Sequence, residues 1–157
     1  MLEIINILGL KLSFIEDWIS KIDAELAEKK FQNDIWSIKQ HIYVMNYWLG
    51  IDNEYIKGFE KGKPDTSFFN NMEAISDKIA LQSENVKFTD ILEQFRKNAE
   101  DLIIELKNCK NINSIDLIEF IMNQLFFFSR HFGRLESKLK MLSSYPDILY
   151  LSKQSDT

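Results

Sequence analysis

The stretch from Asp34 to Ile56, DIWSIKQHIYVMNYWLGIDNEYI, decides the fold of this chain. Ile38, Ile42, Met45, Leu49 and Ile56 recur at the spacings that put side chains on one face of an α-helix. His41, Val44, Trp48, Ile51 and Tyr55 form a second row beside the first. At about 100° per residue, the two rows together cover more than half the helix circumference. A helix covered so widely must touch neighbours on several sides, so it predicts a helical domain packed around it. Asn33 and Asp34 are the candidate N-cap, which puts the helix start near Ile35.

Working outward, Leu8, Leu12, Ile15, Ile19, Ile22 and Leu26 make the stripe of a first helix that runs to about Lys30, widened by Phe14 and Trp18. Downstream, Gly58, Gly62 and Pro64 close the second helix, and residues 63–71 (KPDTSFFNN) have the chemistry of a loop. Ile75, Ile79 and Leu81 suggest a short helix in the connection that follows. A third long helix carries Phe88, Ile91, Leu92, Phe95, Leu102, Ile103 and Leu106, with Asp90 and Glu93 at capping-box spacing, and residues 111–113 break its pattern. The fourth, from about Ser114 to Leu142, should bury Ile118, Ile121, Met122, Leu125, Phe132, Leu135 and Leu139 before Pro146 stops it.

The expectation is therefore an all-α protein, a four-helix bundle with a long connection between helices 2 and 3. Helices of roughly 22 to 30 residues would be about 33 to 45 Å long, well matched for such a bundle. Both a simple up-down order and a crossover are compatible with that connection. One domain spans residues 1–145 and a tail follows at 146–157. Phe126, Phe127 and Phe128 cannot all face one core, because consecutive helical residues diverge by about 100°. At least one should meet another surface, for which a homodimer partner is the economical candidate.

Composition narrows the function. Among 157 residues, 45% are apolar and only seven are Gly or Pro, which is the make-up of a packed domain rather than a disordered one. The formal charge of −5, with no run of five Lys or Arg, repels phosphate backbones and argues against a nucleic-acid partner. No uninterrupted apolar stretch nears the roughly eighteen residues needed to span a bilayer, so no membrane partner is expected. The N-terminal MLEIINILGLKLSFI lacks a small-residue cleavage site and reads as helix, and a single cysteine, Cys109, excludes an internal disulfide. A cytoplasmic location fits both. Cys109 itself reads as a helix-end residue. No Gly-X-Ser-X-Gly elbow, phosphate loop or dinucleotide fingerprint is present, and acidic pairs such as Glu16 with Asp17 belong to solvated faces.

The chemistry then falls to two histidines, both in apolar helical stretches: His41 on the second helix and His131 on the fourth. Phe127 and His131 share a face, and Gln124, Arg134 and Lys138 extend that row along the helix. Bundles build ligand sites from inward side chains on facing helices. Two imidazoles are too few for a catalytic zinc, which takes three protein ligands, and Val44 and Phe127 have no donor atom to supply a third.

The run WSIKQHIYVMNYW (36–48) resembles the second-helix signature of the DinB/YfiT-like superfamily, a large set of four-helix-bundle proteins. There a Trp-Ser-Ile start is followed eight positions on by a metal-binding histidine, and that position here is Val44. The family's fourth helix is similar to FFSRHFGRL (127–135), where a histidine pair four apart corresponds to Phe127 and His131. The resemblance implies a cytoplasmic protein, often a homodimer, whose active members hold a divalent metal and use low-molecular-weight thiols such as bacillithiol, mycothiol or glutathione. Only one of three ligands remains, and His41 lies one turn before Val44, out of register.

The expectation that follows is a DinB-like protein with a degenerate metal site, non-catalytic and dimeric. Its cleft around His41, Val44, Trp48, Phe127 and His131 would accept a small apolar or thiol-bearing ligand. No metal or other cofactor is expected. The alternatives are a thiol transferase using nickel, zinc or manganese at a rearranged site built on His131 and His41, and a protein-interaction module using the aromatic surface.

Overall fold

The computed structural model describes residues 2–30, 34–67, 71–110 and 114–144. Six α-helices lie among them: α1 (Leu2–Ile19), α2 (Ala24–Ala27), α3 (Ile38–Glu60), α4 (Met72–Gln82), α5 (Phe88–Asn108) and α6 (Ile115–Ser144). A 3-10 turn, Ser83–Asn85, joins α4 to α5. The chain is all-α; among the described residues there is no strand, and an isolated bridge between Lys30 and Ser37 is the one β contact. None of the described helices is long and apolar enough to cross a membrane. The Asn33 cap candidate, the 111–113 break, Pro146 and the tail lie outside the described residues.

The long helices pack in a definite pattern. α3 lies most extensively against α5, α1 packs on α5 and α6, and α3 also touches α6 and α4. Each of the first two long helices thus rests on both of the last two. Their stripes meet in one apolar core: Leu8, Leu12, Ile15 and Ile19 of α1, Ile38, Ile42, Met45, Leu49 and Ile56 of α3, Phe95 and Leu102 of α5, and Phe128 and Phe132 of α6. The α3–α5 contact also carries a partly buried amide ladder, in which Asn46 and Asn53 are the buried members. Asn46 donates to Gln94 at 3.1 Å, Asn98 donates to Asn46 Oδ1 at 2.8 Å, and Asn53 donates to the Asn98 carbonyl at 2.9 Å. Such pairs fix the register of two helices, because sliding either one would leave buried amides unbonded.

Several boundaries differ from expectation for local chemical reasons. The first helix stops at Ile19 instead of running to Lys30, and Asp23 caps the one-turn α2 by accepting from the Leu26 amide at 2.7 Å. The second starts at Ile38, because Ser37 forms a capping box: its hydroxyl accepts from the Gln40 amide while the Gln40 side chain accepts from the Ser37 amide. Asp34, freed from capping, turns to other partners. α5 begins at Phe88, so Asp90 and Glu93 fall inside it and make no box. On α6 the buried face is shifted from the expected one. Ile121, Phe132 and Leu135 are buried as their spacing requires, but Met122 is 40% exposed, whereas Leu117, Phe120, Gln124 and Phe128 are buried.

At the other end of α3, the Gly62 amide bonds the Phe59 carbonyl and the Lys63 amide bonds the Gly58 carbonyl, each at 3.0 Å. This is a Schellman ending, and Gly62 takes the left-handed φ of +69° that it requires. Gly58 is needed for a second reason: a Cβ there would sit 3.0 Å from the Lys63 carbonyl oxygen and 3.2 Å from Pro64 Cα. The two glycines fold the connection back against α3 and place Pro64 and Thr66 beside α6.

Candidate functional site

α3 and α6 run in opposite directions where they meet. Tyr55 stacks on Phe120 with ring centroids 4.4 Å apart, and seven residues earlier on α3 Trp48 meets Phe127, seven residues later on α6, at 6.5 Å. Around Trp48 a small apolar cluster forms from Val44, Trp48, Ile79 and Ala80, with Phe127 packed against it. Val44 is fully buried, and the Trp48 indole is closed off by donating to Ser76 Oγ of α4 at 3.0 Å. Phe127 passes from this cluster to His131, whose ring centroid lies 4.3 Å away.

Among the described residues, two clefts open along α6. The larger, about 800 Å³, lies between the end of α3, the 64–66 connection and the first half of α6; the smaller, about 660 Å³, lies between the Asp34–Trp36 link, α4 and the second half of α6. Met72, Phe127, Arg130 and His131 line both. Of the residues singled out from sequence, Phe127 and His131 therefore form the partition between the clefts. His41 lines the smaller one, and Val44 and Trp48 lie in the interior behind Phe127 and line neither of these clefts.

The histidines differ in company. His41 Nε2 lies 2.9 Å from Asp34 Oδ2 and its ring meets Trp36 edge to face. Burial lowers its pKa, only partly offset by the Asp34 carboxylate, so the ring is neutral near pH 7 and donates its Nε2 proton. Asp34 also accepts from Lys138 and from the Trp36 amide at 3.3 Å. Burial alone would raise its carboxyl, but the bonds from Lys138 and His41 outweigh it and hold the pKa below the ordinary value. The cluster clamps the α2–α3 link to both α3 and α6. His131, by contrast, makes no hydrogen bond among the described residues. Burial and the nearby His41, Arg134 and Arg130 push its pKa down to about 4. It is uncharged at neutral pH and too weak a base to take a proton efficiently there.

A divalent metal does not fit these residues. Among the described residues no three His, Cys, Asp or Glu side chains converge on a point. Val44 and Phe127 present hydrocarbon, and His41 is committed to Asp34. Cys109 is buried at the C-cap of α5, as a helix-end residue.

Three features are not anticipated by the sequence reading. Asp34 is a hub rather than a cap. Asp52 is completely buried, and neither carboxyl oxygen is bonded among the described residues. Its signal is an acid four residues from both Trp48 and Ile56, in the middle of an apolar face. The Tyr55–Phe120 stack, which lines the larger cleft, needs the mutual placement of α3 and α6 to be seen.

No family model, curated protein or solved structure matches the chain.

Proposed function

We propose that the chain is a DinB/YfiT-like four-helix bundle whose metal site has been replaced by hydrocarbon, leaving a non-catalytic protein that binds a small ligand in the clefts along α6. One observation carries this reading. Val44, Phe127 and His131, three positions that the resemblance assigns to a metal triad, are gathered here by one apolar cluster and one ring contact, although Val44 lies far from the other two in sequence. Two buried imidazoles without metal would need other hydrogen-bond partners, whereas Val and Phe need none, so the two substitutions make sense together.

Homodimerisation belongs to the same proposal. Its support is that Phe126 is 72% exposed while Phe128 is fully buried, and that Ile7, Leu10 and Phe14 leave a further apolar stripe open on α1.

The test is elemental analysis of protein purified without an affinity tag. Nickel, zinc and manganese should each fall far below one equivalent per chain. One equivalent of any of them, lost on His131→Ala, would instead favour a metal-dependent thiol transferase.

A further inference from the structure

We infer that the larger cleft binds a small organic cation, a protonated amine on an aromatic or alkyl body; this rests on the ligand-binding reading above and names its ligand class. The walls supply π faces. Tyr55 and Phe120 lie stacked at 4.4 Å, with Phe59 6.3 Å from Tyr55 and Phe127 closing the far side. Aromatic faces carry the negative part of the ring quadrupole and attract cations.

The charges agree with the rings. Asp116 and Glu119, one turn apart on α6, both line the cleft, and neither makes an ion pair or hydrogen bond among the described residues. Asp116 sits in the first turn, where a carboxylate also complements the helix dipole, but Glu119 lies a turn further on and lacks that explanation. Among the described residues lining the cleft, Arg130 is the one basic side chain besides the neutral His131. It is eleven residues beyond Glu119, roughly 17 Å along the helix, so the cationic end of a ligand is directed toward the start of α6.

An independent observation points to an occupant. Gln124 lines the same cleft and is only 6% exposed, and its amide, unbonded among the described residues, opens on the cleft rather than being sealed in the protein. Its carbonyl oxygen is thereby available to accept from an ammonium N–H.

The experiment is a chemical-shift titration of the tag-free protein with three probes that share one phenethyl body: phenethylammonium, 2-phenylethanol and 3-phenylpropionate. The cation should bind saturably and about tenfold tighter than either other probe. Exchanging Asp116→Asn with Glu119→Gln, both at exposed positions, should remove that preference while binding of the alcohol stays unchanged and the unfolding temperature falls by no more than a few degrees. If the alcohol or the carboxylate binds as tightly as the amine, or if the double exchange leaves the preference intact, the cation inference is overturned and the ligand cleft stands. Binding by none of the three removes both.

Discussion

Asp52 shows what a single side chain can cost. It lies on the apolar face of α3, fully buried, and burial pushes its carboxyl well above the ordinary value. Folding therefore requires the group to take up a proton once the pH exceeds about 3.9, its unfolded pKa. For an acid with a raised folded pKa the linkage runs one way: its contribution is intact below the unfolded pKa, and stability falls as pH rises through the window toward the folded pKa. Asp52→Asn has nearly the same shape and cannot ionise. Its unfolding free energy should match the wild type near pH 4 and exceed it at pH 8, by about 1–3 kcal/mol. Urea melts at the two pH values check this, and a variant equally or less stable at pH 8 would show that Asp52 has a partner in solution. The sequence directs attention to the histidines instead, and His131 is indeed depressed, to about 4. The acid is easily passed over because helical periodicity scores faces, and one Asp among Leu49, Trp48 and Ile56 hardly changes a face.

Helix ends are where sequence and structure diverge most. The interiors follow from periodicity: Ile38, Ile42, Met45, Leu49 and Ile56 are all buried as their spacing requires. Ends depend instead on which of several oxygens captures an amide: Asp23 caps α2, while Asp34 and Ser37 both stand where α3 could begin. Ser37 wins at α3 because Gln40, three positions on, completes the reciprocal pair. Ser37→Ala should accordingly cost about 1 kcal/mol of stability, measured by denaturant unfolding. A loss below about 0.3 kcal/mol would mean that Asp34 takes over the cap. The shifted face of α6 has a similar origin. Its apolar residues occur on nearly every side, so only contact with α1 and α3 selects Phe120, Phe128 and Phe132 over Met122 and Phe126.

At the scale of the whole molecule, the all-helical class is legible because no segment alternates as a strand does. The packing of α1 and α3 on both α5 and α6 is not, since amphipathic stripes state which face is buried but not against which partner. The clefts are half legible. Phe127 and His131 stand out as a pair four apart, yet their role as a wall between two cavities depends on the 64–66 connection and α4, the segment with the weakest pattern. The central claim, that hydrocarbon replaced a coordination sphere at Val44 and Phe127, is tested most directly by putting the imidazoles back. In a calorimetric titration with nickel or zinc, a folded Val44→His, Phe127→His double variant should bind about one equivalent and lose it on His131→Ala, while the wild-type chain takes up none. Stoichiometric binding by the wild type, or none by the folded double variant, would contradict it.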